Sequence, residues 1–522
     1  MIRNSHIFKF ALFIGAFFLH AHLFAQNNIL ELLPGSEKVI YDERTGIHRL
    51  LGNVNFTYQG NTMYCDSAHY QEKQKLVKAF GNVQIRKNEV NLFCDSLSYN
   101  GSTKYAKLWG HVKVRDREYK ITTDSMEYDA KQGKGIYRNK GKIESIVSNE
   151  RITSKVGYFY PQKQNFFFSG NVNYRKNDLT MTTDTLQFAY EKQTAYFFGP
   201  TQIVNDSVTI LCNKGWYNVQ KEEGTLYKKA QIIQKNTIMK GDTLYYHGKI
   251  KEYEGRGNVF YKDFEQNLIF VGDKAYSSEA KKITYLTGHA LAVKVKDKDT
   301  IFIHADSLIL TKDSLNATDK INGYAHVRIF QKSIQASCDS AIYEPKNDKL
   351  FLRSRPIVWA QNAELKGTLM EISLKDSLIE RIDIKGNTSA LMELDSGKYY
   401  NQIAGREMVA FFKNNELIRS DVKGNAWTIF YPEDEEKTDS LLTKKRMGMN
   451  RLFASDLRIY LDSGEVSGIT YFDKPDGIFY PMDQIRTEEQ FIKGFQWNPL
   501  LRPKDPISMM EKYLINSNRK VN

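Results

Sequence analysis

Asp66, Asp95, Asp124, Asp184 and Asp242 stand 29, 29, 60 and 58 residues apart, and each is followed by Ser or Thr. Two carboxylates brought together could do acid/base work on a glycosidic bond, one protonating the leaving oxygen while the other activates water or attacks carbon. That chemistry needs one unlike pair in one special environment, whereas here the same residue returns at one phase. A recurring Asp before Ser or Thr suits a bend between strands, its short side chain accepting from nearby backbone N–H groups. Three of the four cysteines, Cys65, Cys94 and Cys338, immediately precede such an Asp, and Cys212 precedes Asn213 at the equivalent place. Other copies carry Thr123, Thr183 or Gly241 there, so the position asks for a small, mildly apolar side chain. An even cysteine count also permits disulfides. The ten histidines show no ligand spacing, and there is no His-Glu-x-x-His, no Gly-x-Ser-x-Gly and no phosphate-cradling loop. The chain is therefore expected to have no catalytic residues, no metal and no cofactor.

The elements that position these residues repeat with them. A Gly-x-(Val/Ile) phrase begins at Gly52, Gly81, Gly110, Gly141 and Gly170, in steps of 29, 29, 31 and 29. A period of this size means one supersecondary unit stacked many times. Within a copy the pattern alternates: Val54 and Phe56, a turn at Gln59-Gly60-Asn61, then Met63 and Cys65. Val83, Ile85 and Leu92 follow in the second copy, Val112 and Val114 in the third, and Val172, Leu179 and Met181 in the fifth. Period-two alternation predicts strands with one apolar face. Gly52, Gly81, Gly110 and Gly170, with Asp66, Asp95, Asp124 and Asp184, are read as the structural turns of the repeat. The fold class is all-β: stacked ~29-residue repeats forming an extended jellyroll or solenoid-like array of antiparallel strands, with a short irregular or helical C-terminal region.

At 522 residues, with 41% hydrophobic and 13% aromatic residues, the chain should fold, as several domains or as an extended array. The net charge of +13 suits acidic partners without choosing among them. Arg3 and Lys9, the apolar run Phe10 to Leu19 and Ala25 read as a signal peptide over 1–25. Export makes nucleic acid an improbable partner. Repeats occupy 26–345, a divergent second β region 346–480 with a charged solvated loop at about 432–450, and a Pro-rich tail 481–522. Glu488 to Phe495 is expected to form a short helix.

The Gly-Asn-Val-x-Phe/Ile and Cys-Asp-Ser elements of 52–67 and 81–96, repeated as Gly170-Asn-Val172 and Thr183-Asp-Thr185, resemble the OstA/LptA-like proteins of lipopolysaccharide transport. The resemblance is clearest over 38–345 and weaker over 346–480, and the last forty residues fall outside it. It implies a jellyroll open along one side that carries lipopolysaccharide between membranes, in the periplasm and in association with the outer membrane. It also implies edge-strand pairing to other jellyroll proteins of the machinery and to an outer-membrane assembly protein. The chain departs from the small bridge protein of that family by its length. Too little patterned sequence remains for the large barrel of the outer-membrane member. Val54, Phe56, Met63, Val83, Ile85, Leu92, Val112, Val114, Val172, Leu179 and Met181 would then line a lipid groove. Two other readings stand beside it: a scaffold or adhesin with a dry packed core, and a β-helical polysaccharide enzyme.

Overall fold

The computed structural model describes residues 31–58, 61–87, 90–115, 117, 119–160, 165–189, 191–295, 300–315, 317–375, 378–438 and 441–509. The stretch 1–25 expected to be a signal peptide, Gln59 and Gly60 of an expected turn, and residues 510–522 of the expected tail lie outside these. The chain divides into two compact units, residues 1–235 with 240–251, and residues 236–239 with 252–522. The division falls inside the stretch 26–345.

The first unit is built from long strands paired antiparallel in sequence order. Ile47–Tyr58, Asn61–Gln71, Leu76–Lys87, Val90–Asn100, Tyr105–Arg115 and Tyr119–Asp129 each pair with the next. These strands run straight through the repeated Gly and Asp, which corrects the expectation that both residues build turns. Turns fall at the strand ends and use other residues. Asn100 Oδ1 accepts from the backbone N–H of Ser102 and Thr103 at 2.9 Å each. Asp129 Oδ1 does the same for Lys131 and Gln132, at 2.9 and 3.0 Å. Both are Asx turns, the local geometry that short acidic and amide side chains favour.

The Gly instead makes a mid-strand bulge. Leu51 pairs with Ser67 and Val54 with Cys65, so Gly52 and Asn53 together face the single residue Asp66. Both bulge residues are left-handed, with φ of +69° and +46°. Such a two-against-one insertion bends the strand and strengthens its twist. Repeated strand after strand, the bend folds the sheet back on itself. Tyr174 pairs with Met181 in the next strand, and Phe188 lies seven residues beyond Met181. A straight strand would separate them by roughly 23 Å, yet the Tyr174 and Phe188 rings stack at 5.9 Å. The two arms of each strand thus enclose one apolar interior between them.

The second unit has the same construction principle, with bulges at Gly257-Asn258, Gly288-His289, Gly386-Asn387 and Gly424-Asn425. A hydrogen bond of 2.8 Å between the Thr428 and Tyr471 hydroxyls spans its arms. The charged stretch expected as a loop is a two-stranded hairpin, Glu433–Thr438 with Leu441–Arg446. Its register sets Glu433 opposite Arg446, and the two side chains form an ion pair at 2.9 Å.

The tail after Pro481 docks on the second unit. Ile492 is buried with Leu391, Ile429, Tyr431 and Met449. Gln402, fully buried, donates to the Gln490 carbonyl at 2.7 Å and accepts from the Ile492 N–H at 3.0 Å. Buried Glu364 accepts from the Asn498 N–H at 3.0 Å and from Trp359 Nε1 at 2.9 Å. The helix expected over 488–495 is reduced to a 3-10 turn at Thr487–Glu489, because the chain spends its backbone groups on these side chains.

Candidate functional site

Two surfaces follow from the bulged strand: a ridge along the bends and the interior between the arms. On the ridge Asp66, Asp95 and Asp184 each meet the bulge of the following repeat. Asn82 Nδ2 donates to Asp66 Oδ2 at 3.0 Å, and Asp95 Oδ2 lies 2.8 Å from His111 Nδ1. In the second unit Asp273 and Asp306 pair with His289 and His326 in the same way, at 2.9 Å each. Glu37 takes the slot ahead of Asp66, bonding Asn53 Nδ2 at 3.2 Å. A Cβ on Gly81 or Gly110 would overlap the carboxyl of Asp66 or Asp95. Gly is thus required twice over, for its left-handed φ and for the room that the clip occupies. Gly199 likewise lies against Asp184.

The ridge also shows copies the sequence pattern hid. Bulges at Gly199-Pro200 and Lys228-Lys229 restore steps of 29 after Gly170. Both lysines are left-handed, with φ of +55° and +57°. Gly141, placed in phase by its sequence neighbours, is not a bulge residue. It pairs with Thr123, where Val112 also pairs, and its missing side chain makes room for the Tyr137 ring. The left-handed residue of that copy is Lys140 (φ +59°), 29 residues after His111. A search for Gly alone could find neither Lys228 nor Lys140.

Of the residues expected inside, Val54, Phe56, Val83, Ile85, Leu92, Val112, Val114, Val172, Leu179 and Met181 are buried, and Met63 is half-buried. All four cysteines are buried free thiols beside the bulge. Burial pushes the Cys65 thiol up to about 11 and those of Cys94, Cys212 and Cys338 to about 12. Where a hydroxyl replaces sulfur it is bonded: Thr123 Oγ1 donates to the Lys140 carbonyl at 2.8 Å, and Ser154 Oγ to that of Val156 at 2.9 Å. Sequence reasoning missed the aromatic part of the interior. Tyr137, Phe159, Phe166, Phe168, Phe188 and Phe197 are all buried, although the Phe166-Phe167-Phe168 run announces it.

Among the described residues the interior is uncovered at its N-terminal edge. Val39 pairs with Leu50 and Tyr41 with His48, so both share the inward face, yet they are 53% and 57% exposed. Leu32, opposite buried Phe56, is 41% exposed. These three make an apolar lip. Among the described residues no group of His, Cys, Asp and Glu is placed to hold a metal ion, and no helix is long and apolar enough to cross a membrane.

No curated protein sequence matches the chain. Residues 36–184 and 168–239 match the family model of the OstA-like protein, and residues 270–377 that of the LptA/(LptD N-terminal domain) LPS transport protein. Among solved structures, the chain is similar to LptH, the LptA-homologous periplasmic component of the lipopolysaccharide transport device from Pseudomonas aeruginosa. Identity is 12% and the TM-score 0.19, over 21% of this chain and 76% of that one. The two family models together span more than half of the 522 residues, and the chain belongs to the OstA/LptA-like lipopolysaccharide-transport proteins.

Proposed function

We propose that this protein is a non-enzymatic periplasmic carrier that takes the acyl chains of lipopolysaccharide between the arms of its first unit and passes the lipid toward the outer membrane. The observation that carries this reading is the apolar stripe from Leu32, Val39 and Tyr41 at the uncovered edge into Phe56, Ile85, Leu92 and Val114. Each acyl methylene moved from water into such an interior is worth about 0.8 kcal/mol, so a multi-acylated lipid needs a long stripe rather than a pocket. Stacked repeats supply that length. The edge strand Lys38–Asp42 carries backbone groups that suit strand addition by a neighbouring jellyroll of the transport machinery. The family membership supports the same cargo.

The test is photo-crosslinking in cells. A crosslinker at Phe56 or Ile85 is expected to capture lipopolysaccharide, and one at Tyr64, on the opposite face of its strand, is not. Capture at Tyr64 alone would overturn the proposal. Depletion is expected to lower surface lipopolysaccharide.

A scaffold reading with a dry core has its own support farther along the unit. There Phe159, Phe166 and Phe168 pack edge to face at 5.9 and 6.2 Å, and the arms are already filled by the chain's own rings. The carrier stretch is therefore assigned to residues 47–126.

A further inference from the structure

Within the first unit the clip ridge changes sign at one copy. Along the first unit the residues facing the bulges are Glu37, Asp66, Asp95 and Asp124, then Lys155, then Asp184 and the neutral Asn213. Lys155 occupies the slot in full. Its backbone N–H donates to the Gly170 carbonyl and its carbonyl accepts from the Lys140 N–H, both at 2.9 Å. Its stem lies against Gly170, as Asp66 lies against Gly81. The copy is irregular around it. Lys134–Tyr137 and Gly141–Ser145 are separate strands, and Glu150–Ser154 and Val156–Tyr160 are interrupted at Lys155 itself.

This interruption opens a groove of about 670 Å³ on the outer face. Lys113, Lys140, Lys142, Arg151 and Lys155 line it, with Asp124 the single carboxylate among its lining residues. Lys142 is held by Glu144 at 2.7 Å, and His111 at the rim is held by Asp95. Lys113, Lys140, Arg151 and Lys155 are exposed. Between the charges stand neutral hydrogen-bonding groups, the hydroxyls of Thr122 and Thr153 and the amides of Asn139 and Asn171. Converging cations bind a compact dianion, and hydroxyls and amides satisfy the hydroxyls of a sugar.

We infer that this groove is a binding site for a phosphomonoester carried on a saccharide, formed because Lys155 replaces the acidic clip of the neighbouring copies. It lies on the outer face, so it stands apart from the acyl-chain interior. The same phosphomonoester could come from a free sugar phosphate or from a lipid headgroup in a membrane.

The experiment titrates the full mature chain with glucosamine 1-phosphate, glucosamine and inorganic phosphate by calorimetry, beside flotation with phosphatidylcholine vesicles containing phosphatidic acid. Wild-type protein is expected to bind glucosamine 1-phosphate more tightly than either fragment. Lys155→Asp installs the residue that fills the same slot beside Gly81, Gly110 and Gly199, so the fold is kept, and thermal melting checks it. Lys155→Asp and Arg151→Gln are each expected to weaken binding about tenfold or more. Unchanged affinity in both variants overturns the inference, as does equal affinity for inorganic phosphate. Flotation with phosphatidic acid vesicles without sugar-phosphate binding also overturns it. Crosslinking at Phe56 and Ile85 in Lys155→Asp is expected to stay at the wild-type level, which separates failure of this site from failure of the carrier.

Discussion

Residues 47–126 and 128–217 of the first unit share one backbone plan and have different interiors. The earlier stretch is filled mostly by aliphatic side chains, among them Val54, Ala68, Ala79, Val83, Ile85, Leu92, Leu97, Ala106, Leu108 and Ile121, with Phe56 and Tyr119 as its buried rings. The later one adds to Val172, Leu179, Met181 and Leu186 the rings of Tyr128, Tyr137, Phe159, Phe168, Phe188 and Phe197, which meet across the arms. Both are buried, but aliphatic side chains of small volume can part around an acyl chain with little loss, whereas interlocked rings each carry 150–250 Å² of contact to be given up. The bulge ridge sets the shape of both stretches, and the inward side chains decide which of them can hold a guest.

The largest expected effect tests the aromatic stretch. Phe168→Ala or Phe197→Ala should cost about 3–5 kcal/mol, read as a fall in the urea midpoint of the first unit. Val83→Ala in the earlier stretch should cost distinctly less, and equal losses would erase the comparison. Filling the aliphatic stretch sharpens it next. Ala79→Phe should cost about 1–3 kcal/mol by overpacking and abolish lipid crosslinking at Ile85; retained crosslinking would place the lipid elsewhere. Gly110→Ala tests what the stretches share. A left-handed non-glycine residue costs roughly 1–2 kcal/mol, and the overlap with Asp95 adds to it. Substituting Ala at Gly141, which is not left-handed but lies under the Tyr137 ring, should destabilise through that ring alone, so Tyr137→Ala should relieve it. Smallest is Asp95→Ala, about 0.5–1 kcal/mol for an exposed clip to His111. A loss as large as that of Gly110→Ala would mean that the carboxylate, not the backbone, holds the bend.

Much of this is legible in the sequence. Alternation showed strands, the 29-residue step showed stacking, and Val54, Val83 and Val112 were assignable to the inside from phase alone. The role of Gly and Asp was not. A left-handed Gly serves a hairpin turn or a mid-strand bulge equally well, and only the pairing of Val54 with Cys65 distinguishes them. The hidden copies at Lys140 and Lys228 were illegible for a related reason. A bulge is a backbone conformation that Gly favours but does not own, and neighbouring strands can impose it on Lys. The docked tail was likewise beyond reach, since Gln402 and Gln490 are 88 residues apart and no local pattern links them.

The sequence by itself determined the period, the strand content and the inward stripe, because each depends on residues a few positions apart along one strand. Tertiary structure decided where the strands bend, which side chains clip the bend, and that Lys155 stands where its neighbours carry a carboxylate. Those outcomes depend on which residues face one another across strands, and that register is a property of the assembled sheet.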